Sequence, residues 1–112
     1  MRQADRVPLP FDDEHAPLYT VGQVAAMLGV QPAFLRRVDV ENVVQPARSD
    51  GGQRRYSRRD ISQVQRVSAM AGEGMTLAGI RRIFVLEAEI ADLKHQLESS
   101  TARSVRRPKR ST

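Results

Sequence analysis

Ala47-Arg48-Ser49-Asp50-Gly51-Gly52-Gln53-Arg54-Arg55-Tyr56-Ser57 reads as a hairpin with arginines on both arms and an aromatic closing the second. Gly51 and Gly52 can adopt the positive φ that a tight turn requires, and Asp50 tolerates it better than most residues. Such a turn gathers Arg48, Arg54 and Arg55 near one tip. Guanidinium is planar and holds phosphate oxygens through paired hydrogen bonds, so the tip has the chemistry of a polyanion contact. Taken alone, the stretch is equally compatible with a solvated, arginine-rich surface turn. The flanking sequence decides between the two.

Upstream, Thr20 and Gln23 form a capping-box pair, and Tyr19 with Val24 is spaced as a hydrophobic staple. Val21, Val24, Ala25 and Leu28 then share one helical face, and Gly29 supplies a left-handed stop. Pro32 opens a second short helix with Phe34, Leu35 and Val38 inward and Arg36, Arg37 and Asp39 more exposed. Two short helices joined at Gly29, with Ala25 small enough for close contact, predict a helix-turn-helix. An ordinary helical hairpin is the plainer alternative. Beyond Asn42, which also accepts positive φ, Val43-Val44-Gln45 predicts the strand entering the hairpin, and Gln53-Arg54-Arg55-Tyr56 the strand leaving it.

Downstream, Ser57 caps a third helix, with Asp60 near its positive end and Tyr56 stapled to Ile61. Ile61, Val64, Val67 and Ala71 form its inward stripe, and Gly72 and Gly74 end it. Thr76 begins a fourth helix, with Met75 and Ile80 spaced as another staple. Leu77, Ile80 and Phe84 suit the domain's own core. Ile83, Leu86, Ile90, Leu93 and Leu97 follow at spacings of 3, 4, 3 and 4, a heptad seam. A second copy of the chain is the economical cover for its outer half. Glu87 with Lys94 fits an antiparallel dimer and Glu89 with Lys94 a parallel one, so the direction stays open.

The expected organisation is a flexible arm over 1–17, a winged helix-turn-helix over 18–82, a dimerisation helix over 83–98 and a disordered basic tail over 99–112. The fold class is mainly α with a small β-hairpin wing. Charge supports a nucleic-acid partner. Positions 1–98 are balanced, with 13 acidic against 13 basic residues, and the net +5 comes from Arg103, Arg106, Arg107, Lys109 and Arg110. Within the balanced part, the sector from Arg36 to Arg59 carries a local +4. A neutral domain with one basic sector is an electrostatic footprint for a polyanion.

In this order, the elements resemble the MerR family of bacterial transcription regulators. The residues that carry the likeness are Tyr19-Thr20-Val21-Gly22-Gln23-Val24-Ala25, Leu35-Arg36, Arg48, Gly52, Arg54-Arg55-Tyr56-Ser57, Asp60-Ile61, and Gly74-Met75-Thr76-Leu77-Ala78-Gly79-Ile80-Arg81-Arg82-Ile83. Pro46-Ala47-Arg48, Arg54 to Ser57 and Gly74 to Ile80 look most like the HspR branch of heat-shock repressors. The resemblance implies a homodimer bound to inverted repeats in double-stranded promoter DNA, as a repressor, with a chaperone or other regulatory protein as a partner. It also implies DNA-binding roles for Thr20, Arg36, Arg48, Arg54 and Tyr56, and Arg37 and Arg55, basic neighbours of these residues, complete the expected DNA-binding set. Arg36 would read bases, Arg48 and Arg54 would hold phosphate from the wing, and Tyr56 would anchor the wing to the third helix. The dimer would form through Ile83, Leu86, Ile90, Leu93 and Leu97. Phe34, Arg37, Val38, Asp39, Asn42 and Gln53 depart from the family's usual residues, which predicts an altered base preference.

Other function classes find little support. The chain has no Cys, which excludes disulfides and thiolate metal sites. His15 and His95 are isolated, and no residue grouping suggests catalysis, a cofactor or a metal site. Asp12-Asp13-Glu14 reads as a solvated acidic run. The expectation is a soluble, cytoplasmic protein that is not an enzyme and has no membrane partner. Two rivals remain: an architectural or recombination accessory DNA-binding protein, and a protein-interaction module that docks a partner through its coil.

Overall fold

The structure, a computed structural model, describes residues 12–106. In chain order the elements are β1 (Tyr19–Thr20), α1 (Val21–Leu28), α2 (Pro32–Val40), β2 (Ala47–Arg48), β3 (Arg54–Tyr56), α3 (Arg58–Gly72) and α4 (Leu77–Arg106). The class is mainly α with a small antiparallel sheet of order β1-β3-β2. Tyr19 pairs with Tyr56 and Thr20 with Arg55 on one side of β3, while Ala47 pairs with Arg55 and Arg48 with Arg54 on the other.

Local chemistry sets the helix starts. Thr20 Oγ1 accepts the Gln23 N–H, and Gln23 Oε1 accepts the Thr20 N–H, completing the box at α1. Ser57 and Asp60 repeat it at α3. At α4 the Thr76 hydroxyl accepts the Gly79 N–H at 3.1 Å. Each such cap satisfies amides that have no intrahelical partner.

The helix ends share one device. Gly29, Asn42 and Gly74 have φ of 65°, 60° and 97°. The amide one residue later reaches back in each case: Val30 to Ala25, Val43 to Val38 and Met75 to Met70, at 3.1, 2.9 and 3.1 Å. These are Schellman closures. The second corrects the strand expected over Val43-Val44-Gln45. Val43 and Val44 both donate to the Val38 carbonyl, so they close α2 and turn their side chains into the core instead of forming a ladder. The strand before the turn is the shorter Ala47–Arg48.

The turn also uses its glycines unequally. Gly52 N–H donates to the Ser49 carbonyl at 2.8 Å and Ser49 N–H to Gln53 at 2.7 Å, and only Gly52, at φ 80°, has a positive φ. A turn followed by a left-handed glycine is a common hairpin solution.

The first compact unit runs to Ile80. Its core is aliphatic around one aromatic: Val24, Leu35, Val38, Tyr56, Val64, Val67 and Ile80 are all but sealed from solvent. Burying each of the aliphatic side chains contributes roughly 1.5–3 kcal/mol. Ile61 and Ala71, expected in the stripe of α3, are half-buried at its margin.

Both expected termini need revision where they are described. Of the arm expected over 1–17, residues 1–11 lie outside the described residues. The rest is tied down: Arg59 N–H donates to the Glu14 carbonyl at 3.0 Å, the Arg58 guanidinium to that of Asp12, and Leu18 N–H to Tyr56. The tail expected to be disordered from 99 is helical as far as Arg106, because the helix meets no proline or glycine there, and 107–112 lie outside the described residues. No described helix is long and apolar enough to cross a membrane.

Asn42 combines a left-handed φ with a hydrogen bond from Gln45 to its side-chain oxygen at 2.9 Å. Asn42→Val is expected to destabilise the domain by about 1–2 kcal/mol, as a β-branched residue is strained in this conformation. Asn42→Gly should lie close to the parent in urea unfolding.

Candidate nucleic-acid interface

Pairing of β1 with β3 brings the N-terminus of α1 beside the return arm of the hairpin. Between them lies an open groove of about 400 Å³, lined by Thr20, Gly22, Arg48, Gln53, Arg54 and Arg55 among others. The first amides of α1 carry partial positive charge and are not all used by the cap. Three arginines line the same groove. An anionic oxygen would meet N–H donors from both sides, as helix-terminus phosphate sites require.

The three wing arginines differ in their freedom. Arg54 Nε donates to Asp39 Oδ2 at 2.6 Å, and Arg48 Nη2 donates to the same oxygen at 2.9 Å. The Arg54 side chain is only 17% exposed and that of Arg48 is 48% exposed. Arg48 Nη1 also lies 3.4 Å from the Gly52 carbonyl oxygen, so this guanidinium leans over the turn. Arg55 is half-buried, and its Nη1 donates to the Arg54 carbonyl at 3.2 Å. Arg54, expected with Arg48 as a phosphate contact, is therefore committed first to Asp39, and Arg48 has the more accessible donors.

On α2, Arg36 and Arg37 are both exposed. Arg37 Nη2 is 4.0 Å from a Glu41 oxygen one turn later, a long surface pair worth a few tenths of a kcal/mol at most. Tyr56 sits beneath the surface at 1% exposure, so the ring can support the wing but does not present itself to a ligand. Its hydroxyl is buried and has no hydrogen-bond partner among the described residues. Burial raises its pKa above 10.0; the Arg54 charge opposes the rise, and those of Asp39 and Asp60 add to it.

Asp39 is the residue that the sequence reading misplaced. It was expected on the exposed side of α2, yet it is 8% exposed and faces the wing. Four positions after buried Leu35, it lies on the same helical face, and that spacing was the available signal. Strand β1 was also missed, because two residues are too short to show alternation. Gly22 and Gln53 enter the groove only because that strand exists.

In the second unit, from Arg81 onward, the seam residues Leu86, Ile90, Leu93 and Leu97 are 39, 51, 62 and 67% exposed. Ile83 is half-buried. Among the described residues no cluster of three or more His, Asp or Glu could hold a metal ion.

A family model described as MerR HTH family regulatory protein matches residues 19–85. Among curated proteins, a heat shock protein HspR of Streptomyces coelicolor is 40% identical over 82 residues, which is 72% of this chain and 54% of the relative. The HTH-type transcriptional regulator GlnR of Bacillus anthracis is 25% identical over 76 residues, 68% of this chain and 59% of its own. The chain thus spans little more than half the length of these relatives. Two solved structures share the fold. A MerR-family transcriptional regulator from Bacillus cereus has a TM-score of 0.55 at 23% identity, covering 79% of this chain and 70% of that one. HiNmlR, a MerR-family regulator lacking the sensor domain and bound to promoter DNA, has a TM-score of 0.53 at 22% identity, covering 78% of this chain and 87% of that one.

The raised pKa of Tyr56 has a directional consequence. Above pH 10.0 the unfolded chain releases this phenolic proton while the folded chain retains it, so stability falls as pH rises through that range. In Tyr56→Phe the part of the alkaline loss due to this residue should vanish. At neutral pH the variant should remain within about 1 kcal/mol of the parent, because no hydrogen bond is removed. Urea unfolding from neutral to alkaline pH checks both outcomes.

Proposed function

The chain belongs to the MerR family of helix-turn-helix regulatory proteins, and from that premise we propose that it is a sequence-specific, DNA-binding transcriptional regulator. In this reading it is a repressor that binds an inverted repeat in promoter DNA as a homodimer. The observation that carries the DNA reading is the groove in which the α1 N-terminus faces the wing arginines, with exposed Arg36 and Arg37 on α2 of the same unit. Backbone phosphate suits the groove, and the major groove admits a helix such as α2. Phosphate contacts set position, and α2 supplies the base reading.

The dimer reading is supported by the seam of α4. Four large apolar side chains at heptad spacing stand at 39% exposure or more, which a helix in water does not maintain without a covering surface. A twofold dimer reads two half-sites related by the same symmetry, hence the inverted repeat. The repressor reading rests on the likeness to heat shock protein HspR, which also makes a chaperone the first regulatory partner to test.

Selection from a random duplex pool, followed by mobility shift on the winning sequence and a scrambled control, tests the proposal. Equal affinity for the two duplexes would sink it. Arg36→Ala is expected to weaken the selected duplex by roughly 1–3 kcal/mol and to relax preference at one position in each half-site. Arg48→Ala should weaken selected and scrambled duplexes alike and reduce the salt slope by about one.

Leu93→Glu should shift sedimentation equilibrium to the monomer and leave helical circular dichroism of the first unit largely intact. A variant that stays dimeric would remove the seam from the assembly.

A further inference from the structure

One carboxylate oxygen, Asp39 Oδ2, accepts from Arg48 on β2 at 2.9 Å and from Arg54 on β3 at 2.6 Å. Asp39 itself belongs to α2, and its side chain is 10% exposed. The last turn of that helix is therefore bonded to both strands of the hairpin through a single atom. Backbone pairing alone does not make this link, since β2 and β3 pair with each other and β3 with β1, and no strand pairs with α2.

We infer that Asp39 is a positioning residue that fixes the wing relative to the recognition helix and selects which guanidinium donors remain for DNA. The inference rests on the DNA-binding reading above and deepens it. With Nε bound to Asp39, the Arg54 fork is held in one orientation and cannot swing to follow whichever phosphate is near. With Nη2 bound, Arg48 keeps its Nη1 edge toward the turn, beside the Gly52 carbonyl. A carboxylate can balance only one of the two cations, so the assembly keeps a net positive charge at a fixed place. An ion pair this shielded is screened less by salt than the surface pair between Arg37 and Glu41.

This arrangement trades strength of attraction for register. Free guanidiniums would bind any phosphate on a duplex, adding affinity without discrimination. Arginines held at fixed positions can be satisfied only when the backbone follows the path set by α2 in the groove, so each misfit duplex leaves a donor unpaired. Asp39 thereby converts phosphate contacts, which carry no sequence information themselves, into a check on how α2 is seated.

The decisive variant is Asp39→Asn, which keeps size and one acceptor and loses the charge. Two readouts separate positioning from mere stabilisation. In the free protein, relaxation of the Arg54 Nε–H should show backbone-like order in the parent and clear loosening in D39N, at a temperature where both are folded. On DNA, D39N should bind a scrambled duplex more tightly and with a salt slope steeper by about one to two. Its preference for the selected duplex over the scrambled one should fall roughly tenfold, the scale of one charge-assisted hydrogen bond. Asp39→Glu should recover most of the preference. Arg54→Lys, which keeps the net charge but loses the Nε bond to Asp39, should lose the preference as D39N does, with the salt slope unchanged, even if D39N itself folds poorly. An Arg54 Nε–H already mobile in the parent overturns the inference without reference to DNA, as does an unchanged preference in folded D39N. If the parent prefers no duplex at all, the DNA-binding reading fails instead, while the relaxation measurement still decides whether Asp39 couples helix and wing.

Discussion

The central strand β3 is the constraint on which the rest of the first unit depends. It is three residues long, yet it pairs on one side with the strand that leads into α1 and on the other with the outgoing arm of the hairpin. It also delivers Tyr56 into the core and Ser57 to the cap of α3. A hairpin this short is not stable in water by itself. Here each end is anchored, by the buried ring at the base and the Asp39 pair higher up. The wing is thus an extension of the core and not an appended loop.

The same strand explains the electrostatics. Thr20 and Arg55 are cross-strand partners, so the N-terminus of α1 and the wing arginines cannot be separated without breaking the sheet. Positive charge that is spread along the sequence from Arg36 to Arg55 is gathered by topology, with Arg48, Arg54 and Arg55 on one groove and Arg36 and Arg37 on α2 of the same unit. Asp39 tempers that charge from within. Because it touches the two arginines bonded to it, it acts on them far more than on a more distant polyanion.

What the sequence disclosed follows from the range of the interactions involved. The caps at Thr20, Ser57 and Thr76 are settled within four residues, and the left-handed stops at Gly29, Asn42 and Gly74 within six; all were legible. Val43 and Val44 misled because two adjacent β-branched residues suit a strand by propensity, while the carbonyl they serve, that of Val38, is set by how α2 ends. Strand β1 needed a partner 35 or 37 positions away in sequence, at Arg55 and Tyr56, and nothing in Tyr19-Thr20 alone announces it. For the interface, the residue types and their gathering at the wing could be read, but their division of labour could not. Arg48 and Arg54 look alike in sequence, and both bond Asp39; only their burial in the fold makes Arg54 an internal strut and leaves Arg48 more open.

Helix α4 carries the remaining step. Its 30 residues extend about 45 Å, and the exposure of its seam rises steadily from Leu86 to Leu97. An isolated helix gains little per residue in water, and propensity alone cannot justify apolar side chains placed every third or fourth position along its outer half. Surface placement of the same helix would favour charged residues there, as the intervening Glu87, Glu89, Asp92 and Lys94 do. The division into an apolar line and charged flanks is what a helix needs when another helix lies along it. In a regulator that reads two half-sites, the separation of the two reading heads would then be set by the geometry of that helical contact. On the proposed dimer, each head would contribute the register set within it by β3 and Asp39, and the paired α4 helices would fix the register between them.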